Sequence, residues 1–456
     1  MRRSLAVVPS VALAAATLVP LTGAPADATT LTRDPVAYVY GVDHALSLTN
    51  NHATDDDLAT RTATLASSPW AFFRGTSPLF YRDLGELAPS AYATGAGDVW
   101  IMGDAHLENF GADRGADDTE QLELTDTDDA WRGSYTWELR RMATSIVLAE
   151  RQAGRSTANI NTDVNTLVSD YDQWIKTFHG TSQELTYRLT NSNTSDYDNS
   201  LIQKAKSGTR TGLLGKWTVL GTDGVRKFDL SSASLTPVDA TTRANVINAI
   251  AAYRTTATSP FSTSEAVVKD VVRRTGAGTG SLGRFRWYAL LEGKTTGQDD
   301  DRIMELKQEV DPAPKQLAPG ATTLSGGQRA ADALRWLSYQ SDNKAGWATV
   351  GTVPVLVKEK SPFAEGVDIT QISGSSVWDD TVKDCARLLA AGTSSADQDI
   401  AGTGVTYSAD AAIGNAITSV SGLQAEIVAF ADSYADQVTS DWSRYRTAYL
   451  NGRQLY

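Results

Sequence analysis

Between positions 98 and 129 the chain carries eleven Asp or Glu residues against one basic residue, Arg114. The run contains "GDAHLENFG" (103–111) and "LELTDTDDAW" (122–131). Carboxylates this dense either sit in solvent or gather a cation. Asp104 and Asn109 are five residues apart after the apolar run Val99–Met102, and Asp126 and Asp128 close the next strand-like stretch. Two neighbouring strands that end in carboxylates and an amide at one edge make a hard-oxygen site for Mg²⁺ or Mn²⁺. Phosphoryl-transfer enzymes use this layout. An Asp accepts the proton of the substrate hydroxyl, while an Asn five residues on and an Asp of the following strand hold the metals that bridge nucleotide phosphates. On that scheme Asp104 is the base and Asn109 one metal ligand. Asp126 or Asp128 is the other, and the choice stays open. His106 reads as a metal ligand or as a hydrogen bonder that shapes the loop. Asp113, Asp117, Asp118 and Glu120 read as a solvated loop.

Such chemistry also needs a phosphate cradle and a fixed cation. No lysine precedes Lys176, so the segment before Asp104 cannot supply the cation. Downstream, "TGAGTGSLGRF" (275–285) leads into an alternating stretch and then into Lys307 of "MELKQ". Gly278, Gly280, Ser281 and Gly283 would let backbone N–H groups approach the phosphates of ATP, with Lys307 opposite Asp126. Glycine turn, strand, and a strand with lysine is the order of a protein-kinase small lobe, here placed after the catalytic loop. A glutamate partner for the lysine is not evident; Glu309 adjoins the lysine strand, and the helix near 326–340 offers only Asp332. Arg74 of "FFRG" would clamp an anion, or else pair with a buried carboxylate.

The elements that must position these groups follow from periodicity. Val99–Met102 and the alternation around Leu122 and Leu124 predict strands. Leu139, Met142, Ala143, Ile146 and Val147 predict a helix over 134–153, with Glu138, Arg140 and Arg141 off its apolar face. A second helix is expected over 160–178, one starting near Pro78, one over 326–340 and a long one over 423–450. Strands are expected within 271–293, at 302–310 and at 353–360. Residues 29–60 read as irregular, and 181–240 as weakly patterned with one hairpin. The expected class is α+β, two-lobed and kinase-like, with the catalytic loop circularly permuted ahead of the glycine-rich lobe.

At the N-terminus, Arg2 and Arg3 precede an apolar run that ends in "APADA", the pattern of a signal peptide over 1–28. The expectation is an exported protein with no stable membrane insertion. Residues 29–456 then form one large domain. Its parts are an acidic catalytic-loop region (29–180), a glycine and lysine lobe (260–360) and a C-terminal helical region (375–456). A net charge of −13 argues against nucleic-acid partners. Cys385 is alone and reads as a small buried helix residue.

At "SPWAFFRGTSPLFYRDL", "GDAHLENFG", "TDTDDAWRGSYTWELRRMATSIVLA", "GAGTGSLGRFRWYALLEG" with "LKQE", and "FADSYADQVTSDW", the sequence resembles the bacterial domain-of-unknown-function 2252 family. The resemblance implies a distant relation to kinase-like and aminoglycoside-phosphotransferase-like folds, through Asp104, His106, Asn109 and Asp126. The chain departs from the family pattern in having Thr127 between Asp126 and Asp128, Gln308 after Lys307, and no histidine in "ARLLAAGTSS" (386–395). Three functions compete. The first is a metal-dependent phosphotransferase using Mg or Mn and ATP. The second is a non-catalytic protein that keeps the fold and binds a small or envelope ligand. The third is a metal-dependent phosphoesterase suggested by "GDAH", which would need more histidines than His44, His52, His106 and His179.

Overall fold

A computed structural model describes residues 31–324 and 326–456. The segment expected to be a signal peptide lies outside the described residues. With 46% helix and 14% strand, and all strand pairs antiparallel, the class is α+β as expected.

The largest sheet has six strands. Their spatial order is Gly346–Val350, Val353–Glu359, Arg302–Gln308, Arg286–Leu291, Val268–Arg274 and Leu235–Pro237. Alternation sorts the strand Arg302–Gln308 in two. Met304 and Leu306 join Trp287, Ala289, Val355 and Val357 in a core closed by Val246, Ala249, Ile250 and Tyr253 of the helix Ala240–Tyr253. Glu305 and Lys307 therefore face the other way, toward the acidic segment. The glycine-rich turn joins Val268–Arg274 to Arg286–Leu291, and the helix Gly326–Leu337 follows the lysine strand in the chain.

The second body is helical. Tyr135–Gln152, Thr157–Phe178, Ser375–Ser395 and Val420–Leu450 share one large apolar core, in which Cys385 is fully buried. On it sit the pair Val99–Ile101 with Trp131–Gly133, and a sheet of Phe110–Arg114 between Glu120–Leu124 and Glu365–Gly366.

Several expectations need correction. Val99–Ile101 and Glu120–Leu124 are not paired neighbours; the intervening strand Phe110–Arg114 takes Glu120–Leu124 as its partner. That strand was hidden because Asp113 and Arg114 break its apolar pattern. Asp113 accordingly is no solvated loop residue: it accepts a hydrogen bond from Ser361. Glu120 pairs with Arg114 at 2.6 Å, whereas Asp117 and Asp118 are exposed as expected. Most of 29–60 is helical, as Pro35–Thr49 and Asp55–Leu65. Asp34 caps the first helix at 3.0 Å, and Val36, Val39, Asp43 and Ser47 form its buried stripe, two of them polar. Residues 181–240 hold the expected hairpin (Thr218–Leu220 with Arg226–Phe228) but also helices Asp196–Ser207 and Arg210–Trp217. Among the described residues no helix is long and apolar enough to cross a membrane.

Candidate functional site

The strand Val99–Ile101 runs into Gly103, whose φ of +79° brings its Cα against the Asp129 backbone; a Cβ there would lie 1.9 Å from the Asp129 carbonyl oxygen. The turn delivers Asp104 to the floor of a cavity of about 1010 Å³. One face of the helix Tyr135–Gln152 holds the loop. Glu138 accepts from the Gly103 N–H (3.1 Å), Arg141 Nε donates to Asp104 (2.6 Å), and Ser145 accepts from the Leu107 N–H (3.1 Å). Sequence reasoning set Glu138 and Arg141 aside as polar. Both are buried, and Arg141 lies 4.4 Å from the Phe73 ring centroid and 5.1 Å from that of Phe80. The signal was present in their spacing: 138, 141 and 145 recur at helical period beside the apolar stripe.

Asn109 lies at the end of the same loop. Its side-chain amide donates to the Asp104 carbonyl (2.9 Å), and its own carbonyl accepts from the Thr125 N–H (3.0 Å), which ties the loop to the Asp126 segment. His106 is buried edge-on against Trp70, and among the described residues its Nδ1 has no hydrogen-bond partner. Burial and then the Arg74 and Arg141 charges push its pKa well below the ordinary value, so the ring is neutral. Arg74 pairs with Glu108 and stands 5.9 Å from the Trp70 ring centroid, and it also lines the cavity, so both roles considered for it, carboxylate pair and anion clamp, stay open.

Across the cavity stands Lys307. Its ammonium lies 3.1 Å from Asp126 and 2.5 Å from Asp128, and Arg284 adds a contact to Asp128 at 2.9 Å. Burial would raise the Asp126 carboxyl, yet the Lys307 ammonium, the hydrogen bonds from Asp128 and the Lys358 charge together outweigh it and hold Asp126 well below the carboxylate range. Asp128 is pushed up by burial and by the Asp126 charge. Burial alone would lower Lys307; the two carboxylates raise it above its ordinary value instead. Asp104 is raised to about 6, first by burial and also by the Asp129 and Asp126 charges, against the Arg141 cation.

Gly278, Gly280 and Ser281 line the same cavity. Gly283 does not: its φ of +92° lets it pack on helix side chains, where a Cβ would come within 2.3 Å of Leu58. Among the described residues no protein acceptor takes the N–H groups of residues 277–283, whereas their flanks are bonded, Gly276 to Asp57 and Phe285 to Gln308. The helix Gly326–Leu337 offers Lys307 no glutamate. It presents Arg329, fully buried, to Glu309 at 3.3 Å and to the carbonyls of Asp128 and Ala130 (2.6 and 2.7 Å), while Asp332 pairs with Arg335.

Among the described residues no group of three or more His, Cys, Asp or Glu is placed to hold a metal ion. The available donors are the Asp126 carboxylate, the Asp128 oxygen that has no hydrogen-bond partner among the described residues, and the Asn109 side-chain oxygen. Such oxygens suit a hard divalent cation, but both carboxylates are already paired, Asp126 with Lys307 and Asp128 with Lys307 and Arg284. Of the four histidines only His106 lines the cavity.

An α+β protein whose acidic loop, lysine strand and glycine turn close on one cavity is thus defined. The chain belongs to the DUF2252 family, described as an uncharacterized protein conserved in bacteria, whose sequence model matches residues 54–448. No curated protein and no solved structure matches it significantly.

Proposed function

We propose that the cavity binds a nucleoside triphosphate with a divalent cation and transfers a phosphoryl group to a small hydroxyl-bearing acceptor, on a circularly permuted kinase-like fold. The observation that carries this reading is the direction of Lys307: it reaches Asp126 and Asp128 in the cavity that also holds Asp104 and the glycine turn. The chain order supports it too. A glycine turn joins two antiparallel strands, the next strand carries the lysine, and a helix and two more strands complete the sheet.

The residues divide the work. The unclaimed amides of the turn and the Lys307 ammonium cradle the phosphates. Asn109, Asp126 and Asp128 hold Mg²⁺ or Mn²⁺, which supplies charge neutralisation to the transferring group. Asp104, held by Arg141, takes the acceptor's hydroxyl proton; with a pKa near 6 it is ionised at neutral pH yet more basic than an ordinary aspartate. Residues 1–28 direct export in this reading, and the N-terminal sequence of protein from culture medium tests that part.

One observation favours a second reading, a non-catalytic ligand-binding protein: the ammonium of Lys307 stands where a metal must enter, and the lysine has no glutamate on the neighbouring helix. Calorimetry separates the two. The phosphotransferase reading expects Mg·ATP to bind residues 29–456, Asp126→Asn to lose that binding, and Asp104→Asn to keep binding while losing turnover. Wild-type protein that binds neither ATP nor divalent cation would exclude it.

A further inference from the structure

The glycine-rich turn is held from outside the sheet, by the first two helices among the described residues, Pro35–Thr49 and Asp55–Leu65. Arg61, 4% exposed, donates through Nη1 to the carbonyls of Thr279 (2.9 Å) and Gly280 (3.3 Å). Its other nitrogens bond Asp43 (2.9 Å) and the Gly75 carbonyl, which leaves the guanidinium one orientation. Asp57 accepts from the Gly276 N–H and from Arg273, each at 2.8 Å. At the far end Asn50 donates to the Gly283 carbonyl (2.9 Å) and exchanges amide hydrogen bonds with Gln308, beside Lys307.

In a trans peptide the carbonyl of one residue and the N–H of the next point in opposite directions. Drawing the Thr279 and Gly280 carbonyls toward one guanidinium therefore turns the Gly280 and Ser281 N–H groups away from it together. Those are two of the amides that no protein acceptor takes. A turn rich in glycine would otherwise sample many conformations, and fixing it on ligand arrival would cost affinity.

We infer that Arg61 is a positioning residue, and that the helices Pro35–Thr49 and Asp55–Leu65 are a built-in buttress that sets the turn in its anion-accepting shape before any ligand arrives. The inference rests on the phosphate-binding reading for its purpose but not for its geometry. An arginine is needed because Nη1 reaches both turn carbonyls while Nε holds Asp43 and Nη2 the Gly75 carbonyl; a lysine keeps the charge but has one nitrogen for these three directions.

Hydrogen exchange on unliganded protein, comparing wild type with Arg61→Lys, tests the geometry. The hydrogen-bonded amides at the ends of the turn, Thr275, Gly276, Arg284 and Phe285, should exchange at least about tenfold faster in the variant, with the strands Arg286–Leu291 and Arg302–Gln308 unchanged. Asp57→Asn, which keeps an acceptor for Gly276 but loses the charge facing Arg273, should give a smaller acceleration of the same segment and covers the case in which Arg61→Lys does not fold. Unchanged exchange in the turn, or equal acceleration across the whole sheet, overturns the buttress. Calorimetry with magnesium and inorganic triphosphate tests the purpose. A wild type that binds and an Arg61→Lys about tenfold weaker support it, whereas equal affinities overturn it. A wild type that binds no triphosphate removes the phosphate reading, and with it the purpose, while the exchange result still decides the geometry.

Discussion

Lys307 Nζ stands 2.5 Å from Asp128 Oδ2, both side chains nearly buried, and this pair joins the sheet to the acidic segment. The same ammonium reaches Asp126, and with Arg284 on Asp128 it offsets the repulsion between the two carboxylates. A divalent cation bound by those carboxylates must displace or share with the lysine.

That competition is measurable. Lys307→Met should lower unfolding stability by about 1–2 kcal/mol, because Asp126, more than a third exposed, loses its cation while Arg284 still pairs with Asp128. Mg²⁺ or Mn²⁺ should then restore part of the loss, raising the variant's Tm more than that of wild type. Equal metal effects on both proteins would mean that Asp126 and Asp128 do not form the cation site.

Arg141 gives a second test. It opposes the burial that raises Asp104 to about 6. Replacing it by Met removes the opposing charge, so the Asp104 pKa should rise further and the alkaline-going limb of any turnover should move to higher pH. Asp104 acts as base only when ionised, so wild-type turnover should increase as pH rises through about 6. A carboxyl titration of Asp104 followed by NMR, with Asp104→Asn to assign it, checks both statements. A limb left in place by Arg141→Met would detach Arg141 from the site.

Glu138 is predicted to link pH to stability. Burial raises its pKa to about 8, against the hydrogen bond it accepts from Gly103. Because the folded value lies above the unfolded one, the protonated carboxyl is favoured in the fold. Its stabilisation is fully present below about pH 4.5 and is lost as pH rises through about 8. Glu138→Gln mimics the neutral acid, so wild type minus variant stability should fall between pH 5 and 9. Other raised carboxyls, Glu123 and Glu150 among them, titrate in both proteins and cancel in the difference. A flat difference would mean that Glu138 is ionised throughout.

What could be read beforehand divides by physical cause. In the sequence, Lys307 is set facing the acidic segment because no lysine precedes Lys176 and because the glycine turn, strand and lysine strand follow one another. In the structure the local alternation of Met304 and Leu306 against Glu305 and Lys307 gives it that direction. Asp104 and Asp126 reach the cavity because each follows a short strand legible from its apolar run or alternation, and Asn109 reaches it on the 3-10 turn that joins Asp104 to the strand Phe110–Arg114. Arg141 and Arg61 were not legible as site residues. Their partners, Asp104 and the Thr279 and Gly280 carbonyls, are brought to them by tertiary packing, and charge at a buried helix position looks like charge at a solvated one. The N-terminal helices were missed for the same reason: Asp43 and Ser47 lie on the buried stripe, so the apolar periodicity that marks a helix is diluted.

The last prediction concerns Gly103, where the loop's shape is decided. Its φ of +79° is open to glycine and strained for alanine, at a cost of about 1–3 kcal/mol for the backbone alone. An added Cβ would also lie 1.9 Å from the Asp129 carbonyl oxygen and 2.6 Å from its carbon, both backbone atoms that cannot rotate away. Gly103→Ala must therefore push apart the Asp104 loop and the Asp126–Asp129 segment, the two groups that the site needs together. Asp129 also accepts from the Ala313 N–H at 2.8 Å, so the displacement carries to the chain following the lysine strand. The expected result is a folded protein of reduced Tm that loses Mg·ATP binding. Gly95→Ala serves as the control: its φ is +95° and no heavy atom lies within 4 Å of an added Cβ, so it carries the backbone strain without the clash. It should lower Tm by less and leave binding intact. Equal behaviour of the two variants would show that close packing at Gly103 does not set the spacing between Asp104 and Asp126.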